Sequence, residues 1–501
     1  MSSIKKLAGQ TLWYGVSSIA ARFINYLLTP YLTYNALIKP SDYGKMSAVY
    51  AAIPLFNIIF TYGMETAYFR FIQQKEKQEA VNNTATISLF VTSILFSIML
   101  WLNQDFLAGV ASLKDLPSLI QLSIIIIGLD ALSTIPFARL RNEGRPRLFA
   151  LIKIAGIVIN VLATVFFLSW CPKAAEANPN SWIILIYDKN INPINYVLWA
   201  NVFQSAFTLL LLGKWVMPAK WKFDFNVWKE MMLYALPMLI AGMGGMVNET
   251  FDRLMLGWWL PGNDEYVDAQ RGIYGACYKL SILITLFIQA FRMGAEPFFF
   301  KQAQGQNPQR TYARVTKFFV ITVSVMFLVV MLYLPGIKYF IDKKYWDGLA
   351  VVPILLMANI CLGIYYNLSV WYKITASTMA GAWITLIGTT ITFIINYAFI
   401  PTHSYMASAW ATFLCYCTMM VVSFMWGQKK YYVPYAWKKL LAYLVIALLL
   451  WLLHKVIAGL WDNIYFSLTL GTLLIGAYTA FIIKIEKKEF QQMPVIGRWI
   501  K

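Results

Sequence analysis

Several charged side chains lie inside long apolar segments of this chain. The cations Arg22, Arg253, Lys279 and Arg292 are among them. Asn25 follows Arg22 by about one helical turn. A charge at membrane depth is costly and usually lines a cavity or a path. These residues therefore indicate a polar site within an otherwise apolar protein.

Carboxylates accompany the cations, most densely in the segment 229–260. Glu249 and Arg253 are four residues apart with the acid first, which is the favourable order for an ion pair within a helix. Asp252 has only its neighbour Arg253 as a partner within this segment. Glu249 and Asp252, with Asp130 of an earlier segment, are candidates for binding a coupling ion. A structural salt bridge is the alternative for the first two.

An internal repeat relates two parts of the chain at an offset of 231 residues. The stretch from Arg22 to Arg70 aligns with that from Arg253 to Lys301, and 11 of the 49 pairs are identical. Self-similarity of this kind indicates two structurally equivalent halves. Glu249 and Asp252 have no acidic counterparts in the first half, an asymmetry that suits a coupling-ion site.

The composition places these segments in lipid. Of 501 residues, 59% are hydrophobic and only 13% are charged, against about 25% charged in ordinary soluble domains. A helix of about 20 apolar residues crosses a bilayer core and satisfies its backbone groups internally. The sequence predicts an all-α integral membrane protein with fourteen such helices, spans 1 to 14: 8–36, 41–70, 84–104, 117–139, 148–171, 194–216, 229–260, 270–299, 312–334, 348–372, 378–400, 404–426, 437–456 and 464–484.

Lysine and arginine are distributed unevenly over the connections between spans. With the N-terminus in the cytoplasm, 27 of the 42 basic residues lie on cytoplasmic segments, 10 on outer connections and five within spans. This follows the positive-inside rule and predicts that both termini are cytoplasmic. We call the predicted cytoplasmic side the inner side and the opposite side the outer side. The net charge of +19 then reflects topology, and we expect no binding of nucleic acid.

Several classes of protein do not fit the sequence. It has no G-x-x-x-x-G-K-[ST] loop for ATP hydrolysis, and its five cysteines and two histidines show no metal spacing. No cleavable signal peptide is apparent. The longest outer connection, about 172–193, is too short for a catalytic domain. We therefore expect neither an enzyme nor a bound metal or organic cofactor.

The two repeat copies begin six spans apart, so both enter the membrane in the same direction. Parallel repeats of this kind are related by an axis along the membrane normal, with a site expected between the halves. We predict an N-terminal six-helix lobe at 1–217, a C-terminal six-helix lobe at 218–428, and two added helices with a tail at 429–501. Rocking of one lobe against the other would give the alternating access of a transporter.

Seven motifs carry a resemblance to a known superfamily: Ser41-Asp42-Tyr43-Gly44, Gly63 to Arg70, Leu140-Arg141-Asn142-Glu143, Leu236-Pro237, Glu249 to Arg253, Gly275 to Lys279 and Ala290 to Phe298. The chain resembles the multidrug/oligosaccharidyl-lipid/polysaccharide exporters, and within them the lipid-linked oligosaccharide flippases of bacterial polysaccharide synthesis. The resemblance implies a location in the bacterial cytoplasmic membrane. It also makes other polysaccharide-synthesis proteins candidate partners, and sodium ions or protons candidate coupling ions.

The substrate that the resemblance implies is an oligosaccharide joined through pyrophosphate to a polyprenyl lipid. Because pyrophosphate is anionic, its path needs arginine or lysine, and arginine forms two parallel hydrogen bonds with phosphate oxygens. Arg22 and Arg253 are the first candidates, because the repeat places one in each lobe. Lys279, Arg292 and Asn25 are further candidates. The lipid tail can stay in the bilayer, so only the head group must cross.

Two glutamates at matching repeat positions, Glu65 and Glu296, lie near the inner ends of spans 2 and 8. By pairing with Arg70, Arg292 or arginines of the inner loops, they could close an inner gate. Satisfied ion pairs at helix ends are the alternative.

Three other functions remain open at this point. A multidrug exporter of the same fold, coupled to an ion, would need an acidic and aromatic site. A polymerase or ligase of the same pathway would need larger outer loops than this chain has. A scaffold for the synthetic enzymes would leave the buried charges unexplained. The sequence therefore favours the flippase.

Overall fold

The computed structural model describes residues 20, 22–178, 182–303, 306–375, 377–461 and 463–491, without the side chains of Lys75, Pro237, Met238, Ile240, Ala241, Pro297, Lys301 and Thr378. In this part of the chain every regular element is helical. The predicted all-α class is therefore confirmed.

The described residues form twenty-two helices, numbered in chain order, and twelve of them lie in the first half of the chain. They are α1 (22–34), α2 (Pro40–Thr61), α3 (Met64–Phe71), α4 (Gln78–Leu102), α5 (Gln104–Ala111), α6 (Pro117–Asn142), α7 (Pro146–Val165), α8 (Cys171–Ala177), α9 (Pro193–Leu211), α10 (Gly213–Val216), α11 (Phe225–Thr250) and α12 (Asp252–Trp259). A π-helical turn, Phe166–Trp170, joins α7 to α8.

The second half forms ten further helices. They are α13 (Asp264–Gln302), α14 (Pro308–Leu332), α15 (Leu334–Ile337), α16 (Val351–Leu368), α17 (Val370–Ile374), α18 (Thr378–His403), α19 (Tyr405–Lys430), α20 (Trp437–Gly459), α21 (Ile464–Ile485) and α22 (Lys487–Gln491). Short 3₁₀ helices lie at Lys75–Lys77, Trp182–Leu185, Lys338–Phe340 and Lys343–Ala350.

Twelve of the fourteen predicted spans correspond to helices long and apolar enough to cross a membrane, within the described residues. Span 1 lies partly outside those residues, and only 22–34 is seen as its helix α1. Span 7 is divided into α11 and α12 by a turn at Phe251 and is not among the twelve. A multi-pass membrane fold is confirmed, and the count of fourteen stays a prediction.

The helices cluster into two compact units. The first comprises the described residues of Met1–Lys279 with Gly381–Cys415, and the second comprises those of Leu280–Ala380 with Tyr416–Lys501. The lobes predicted at 1–217 and 218–428, and the added pair at 429–501, remain predictions.

Within the first unit, the outer ends of α2 and α13 cross at glycines. A Cβ atom on Gly44 would overlap the carbonyl oxygen of Asp268, and one on Gly272 would overlap the carbonyl oxygen of Pro40. Small residues allow helix backbones to approach closely in a membrane, where packing replaces the hydrophobic effect as the source of attraction. The two helices that cross here belong to equivalent positions of the sequence repeat.

The inner end of α2 breaks where the repeat motif begins. Gly63 has φ = +74° and Tyr62 has φ = +34°, so the chain leaves the helix in a left-handed conformation before α3 starts. Glycine adopts this conformation without steric cost. The Tyr62 hydroxyl is held by the Ser88 hydroxyl at 2.6 Å. In α3, Met64, Ala67 and Tyr68 are fully buried in a core shared with α4, α6 and α11.

Within the second unit, a charge cluster fixes the chain beyond α21. The Glu486 carboxylate, which is 3% exposed, accepts hydrogen bonds from Lys317 of α14 at 3.0 Å and from Tyr443 of α20 at 2.6 Å. Lys439 of α20 pairs with it at 2.7 Å. Since all three partners come from other helices, Glu486 ties the C-terminal pair α20–α21 to α14.

Candidate functional site

A cavity of about 620 Å³ lies among the helices of the first six spans. Its lining residues all fall between the middle and the inner ends of α1, α2, α3, α6, α7 and α9. They are Arg22, Asn25, Asn57, Ile58, Thr61, Glu65, Asp130, Ser133, Thr134, Phe137, Arg141, Phe149, Lys153, Ile157, Asn201, Gln204, Ser205 and Thr208. Most of these are charged or polar, in helices that are otherwise apolar. The cavity is therefore a polar chamber at membrane depth.

Three cations line this cavity: Arg22, Arg141 and Lys153. Lys153 is within electrostatic range of both arginines and of Asp130. Because like charges at short range repel each other in a medium of low dielectric constant, such a cluster favours an anionic occupant. Two acids, Glu65 and Asp130, accompany the three cations, so the lining has more basic than acidic side chains.

Lys153 extends from α7 across the faces of two aromatic rings. Its Nζ atom lies 4.4 Å from the ring centre of Phe137 and 5.9 Å from that of Phe149. Aromatic faces stabilise a cation without neutralising it. The two rings therefore stabilise the ammonium group of Lys153 without using its hydrogen-bond donors.

Asp130 lies on α6 opposite Lys153. Its Oδ1 atom accepts a hydrogen bond from the Ser205 hydroxyl of α9 at 2.7 Å. Asp130 was predicted from the sequence as a candidate for ion coupling, and the structure places it beside the cations of the cavity. Its role in coupling stays a prediction.

Glu65 forms an ion pair with Arg141 at the inner end of the cavity. The sequence left open whether Glu65 pairs with Arg70 or with an arginine near an inner loop. Its partner, Arg141, belongs to the second group. The Arg141 guanidinium also lies 4.8 Å from the ring centre of Phe69. Arg70 is instead stacked on Tyr234 of α11 at 4.2 Å. Glu65 thus joins α3 to α6 at the cavity edge.

Arg253 does not line this cavity. Its guanidinium lies 3.6 Å from the Asp252 carboxylate and 4.2 Å from the ring centre of Tyr278, and its side chain is 11% exposed. Asp252 also accepts a hydrogen bond from the Tyr274 hydroxyl. The structure therefore does not bring Arg253 together with Arg22, although the repeat places them at matching positions. Arg253 belongs to a buried, internally satisfied cluster.

Glu249 and Lys279 lie near this buried cluster. The Arg253 Nη1 atom donates to the backbone oxygen of Glu249 at 3.4 Å, across the turn that separates α11 from α12. Lys279 lies within electrostatic range of Arg253. Arg253 lies 3.6 Å from the carboxylate of its sequence neighbour Asp252. The ion pair of Arg253 with Glu249 that the sequence suggests stays a prediction.

Arg292 and Glu296 form a second inner cluster on α13, within the second unit. Arg292 donates to Glu296 at 3.1 Å, and Lys373 of α17 also pairs with Glu296. The Arg292 guanidinium lies 4.6 Å from the ring centre of Tyr366. Each of the two repeat glutamates is thus held by an ion pair at the inner end of its helix. Whether these pairs act as gates stays a prediction.

Sequence reasoning missed Arg141 and Lys153 as residues of the site. Lys153 is the fifth basic residue within a span, and an intramembrane charge is by default a functional candidate. Arg141 lies in a basic run, 139–147, that follows predicted span 4 on the inner side. The helix α6 continues to Asn142, which carries Arg141 back toward the cavity.

A metal site is not formed in the described part of the chain. Those residues include no group of three or more His, Cys, Asp or Glu side chains that could hold a metal ion. None of the described cysteines forms a disulfide bond with another.

Comparisons with known proteins identify the family and the fold. A model of the polysaccharide biosynthesis protein family matches residues 7–303. The match covers more than half of the chain and all of the cavity residues, and the protein belongs to this family. No curated protein sequence matches the chain.

Solved structures of two classes share the fold. A lipid II flippase, MurJ, in an inward closed conformation has a TM-score of 0.68 at 11% identity, over 94% of this chain and 99% of that chain. An inward-facing multidrug resistance MATE family transporter of the MOP superfamily has a TM-score of 0.61 at 13% identity, over 82% and 94%. A eukaryotic MATE transporter has a TM-score of 0.53 at 13% identity, over 89% and 98%. At these identities the likeness shows the fold alone.

Proposed function

We propose that this protein flips polyprenyl-pyrophosphate-linked oligosaccharides from the cytoplasmic to the outer leaflet of the bacterial cytoplasmic membrane by alternating access. The observation that carries the proposal is the cluster of Arg22, Arg141 and Lys153 in a polar cavity of about 620 Å³. Membership of the polysaccharide biosynthesis protein family supports it. So does the fold shared with a lipid II flippase.

The cation cluster suits a pyrophosphate head. Two adjacent phosphates carry more acceptor oxygens than one side chain can satisfy, and each charge-assisted hydrogen bond contributes about 1.5–3 kcal/mol. Two arginines and one lysine from three different helices supply donors from several directions. The lipid tail needs no polar path and remains in the bilayer while the head group crosses.

Release of the inner ion pairs is the second part of the proposal. Glu65 already engages Arg141, so an entering pyrophosphate competes with this carboxylate for the same guanidinium. The equivalent Glu296 pairs with Arg292 and Lys373. We assign these pairs, with Arg70, to the inner gate. We assign the coupling ion, a sodium ion or a proton, to Asp130, whereas Asp252 is already bound by Arg253 and Tyr274.

The alternative function is ion-coupled export of organic cations, the activity named for the MATE transporters that share the fold. The two acids of the cavity would then be the binding groups. Glu65 is paired with Arg141, and Asp130 lies close to Lys153. An organic cation would enter a chamber that holds three cations of its own, which disfavours this function.

The test is transport by purified protein in proteoliposomes, with polyprenyl-pyrophosphate oligosaccharides extracted from the native membrane as substrate. Lys153→Met keeps the length and apolar stem of the side chain but removes its charge, and we expect transport to fall by about 10–100-fold. Lys229→Met removes an exposed lysine of α11 and serves as the control. Wild-type rates in Lys153→Met and in Arg22→Met would overturn the proposal.

A further inference from the structure

One face of α9 carries an uncharged polar stripe inside the membrane. Asn201, Gln204, Ser205 and Thr208 are spaced by three, four and seven residues from the first, which places them on one side of a helix. All four line the cavity described above. Phe203 and Leu210, on other faces of the same helix, are 44% and 77% exposed at the protein surface. The stripe is thus a local feature of the cavity wall.

Much of the hydrogen-bonding capacity of this stripe is unused. Asn201 donates through Nδ2 to the Tyr50 hydroxyl at 2.6 Å and to the backbone oxygen of Val197 at 2.8 Å, which leaves its Oδ1 acceptor available. Gln204 and Thr208 make no side-chain hydrogen bond with any residue that the structure describes. Polar groups at membrane depth are costly unless a partner satisfies them. An occupant of the cavity is such a partner.

The stripe directly adjoins the cation cluster. Its third member, Ser205, donates to Asp130, and Asp130 lies within electrostatic range of Lys153. The close approach of α7 fixes the other end, because a Cβ atom on Gly156 would overlap the Thr208 hydroxyl. Charged and neutral donors are therefore arranged side by side on α7 and α9 around a single chamber.

The two parts of the wall suit the two parts of a glycosyl pyrophosphate. Phosphates are bound by cations, whereas sugar hydroxyls are neutral and act as both donors and acceptors, as amides and hydroxyls do. A site built to hydrogen-bond a substrate hydroxyl also discriminates strongly against a substrate that lacks it. We infer that the α9 stripe binds the sugars next to the pyrophosphate and determines which glycan the protein accepts. This inference rests on the proposed function.

The test compares binding of sugar-free polyprenyl pyrophosphate with a panel of polyprenyl pyrophosphates that carry one to three sugars. Full-length protein in nanodiscs is used as wild type, as the double variant Gln204→Leu/Thr208→Val, and as Lys153→Met. Leu210→Ala, on the exposed face of α9, controls for the integrity of the helix.

We expect the wild type and Leu210→Ala to bind at least one sugar-bearing lipid about tenfold more tightly than the sugar-free lipid. The double variant should lose this preference and bind the sugar-free lipid as the wild type does, while Lys153→Met weakens binding of both. A double variant that keeps the preference overturns the inference. The inference is also overturned if the wild type binds sugar-bearing and sugar-free lipids equally well. The same holds if the double variant no longer binds the sugar-free lipid. Failure of the wild type to bind any pyrophosphate lipid contradicts the proposed function itself.

Discussion

The role of Lys153, a charged residue within the membrane, depends on the side chains around it. Its ammonium group lies over two aromatic rings, which stabilise a cation, and within electrostatic range of two arginines, which repel it. Arg253 is also a cation within a predicted span, but its surroundings differ. A carboxylate lies 3.6 Å from its guanidinium, and two tyrosine rings are close to it. The first arrangement leaves a donor for a ligand, and the second forms a closed structural cluster.

The contrast leads to a prediction for Arg253. Arg253→Met leaves the Asp252 carboxylate, which is 4% exposed, buried without its ion-pair partner. Removal of one partner of a buried pair costs about 3–5 kcal/mol, and we expect a loss of this order in thermal unfolding of the purified protein. The double variant Asp252→Asn/Arg253→Met should recover most of it. A stable Arg253→Met protein that has lost transport would instead assign Arg253 to the substrate.

At the scale of single residues, the sequence indicates which residues are unusual but not which partners they contact. The sequence indicates that Arg22, Asn25, Glu65 and Asp130 are unusual for a membrane segment, and all four line the cavity. Glu65 and Arg141 are 76 positions apart, so no local spacing predicts that they meet. The repeat predicts similar roles for Arg22 and Arg253, but Arg22 lines the cavity, whereas Arg253 lies against Asp252 and Tyr278.

At the scale of helices, the crossing of α2 and α13 depends on the absence of side chains. The neighbours of Gly44 and Gly272 are backbone atoms, which cannot move aside as a flexible side chain can. The two copies of the repeat differ in structure at their inner ends. Gly63 breaks the helix at φ = +74°, whereas α13 runs without a break through Gly294. Packing of Gly63 against Ala235 of α11 accompanies the break, and a sequence repeat does not encode such a long-range contact.

We predict that Gly272→Ala destabilises the protein by about 1–3 kcal/mol or more, because the added methyl group overlaps the Pro40 carbonyl oxygen. Thermal unfolding in detergent measures the effect. Gly476→Ala on α21 is the matched control, since a Cβ atom there meets open space. The control should be neutral or more stable by up to about 1 kcal/mol. Equal stability of the two variants would contradict the close crossing.

The attachment of the C-terminal helices should depend on pH through Glu486, which follows α21. Burial alone would raise the pKa of Glu486, but hydrogen bonds from Lys439, Tyr443 and Lys317 outweigh burial and lower the pKa below its ordinary value of 4.5. A lowered pKa stabilises the fold fully above the ordinary value, and this contribution is lost as the pH falls through the lowered pKa.

Glu486→Gln should therefore lower the free energy of unfolding by about 1–3 kcal/mol at neutral pH. The difference from wild type should shrink steadily below pH 4.5. Glu489→Gln, whose carboxylate is 34% exposed, is the control and should cost less than about 1 kcal/mol. Thermal unfolding of the three proteins across the pH range checks this, and a pH-independent difference would contradict the assignment.

At the scale of the whole molecule, composition alone predicts a helical membrane protein because lipid leaves a chain of this length few other options. Twelve predicted spans are found as helices among the described residues, and span 7 is divided into two. The family match and the shared fold establish the family and the fold but name no substrate for this chain. The proposed pyrophosphate-linked substrate rests on the charges of the cavity.

The most direct measurement compares two substrate classes in one preparation of wild-type protein. Proteoliposomes receive either polyprenyl-pyrophosphate oligosaccharides extracted from the native membrane or a fluorescent organic cation, each with and without a sodium or proton gradient. The cation cluster of Arg22, Arg141 and Lys153 predicts transbilayer movement of the pyrophosphate lipid and none of the organic cation. Transport of the organic cation without movement of the lipid would contradict the account.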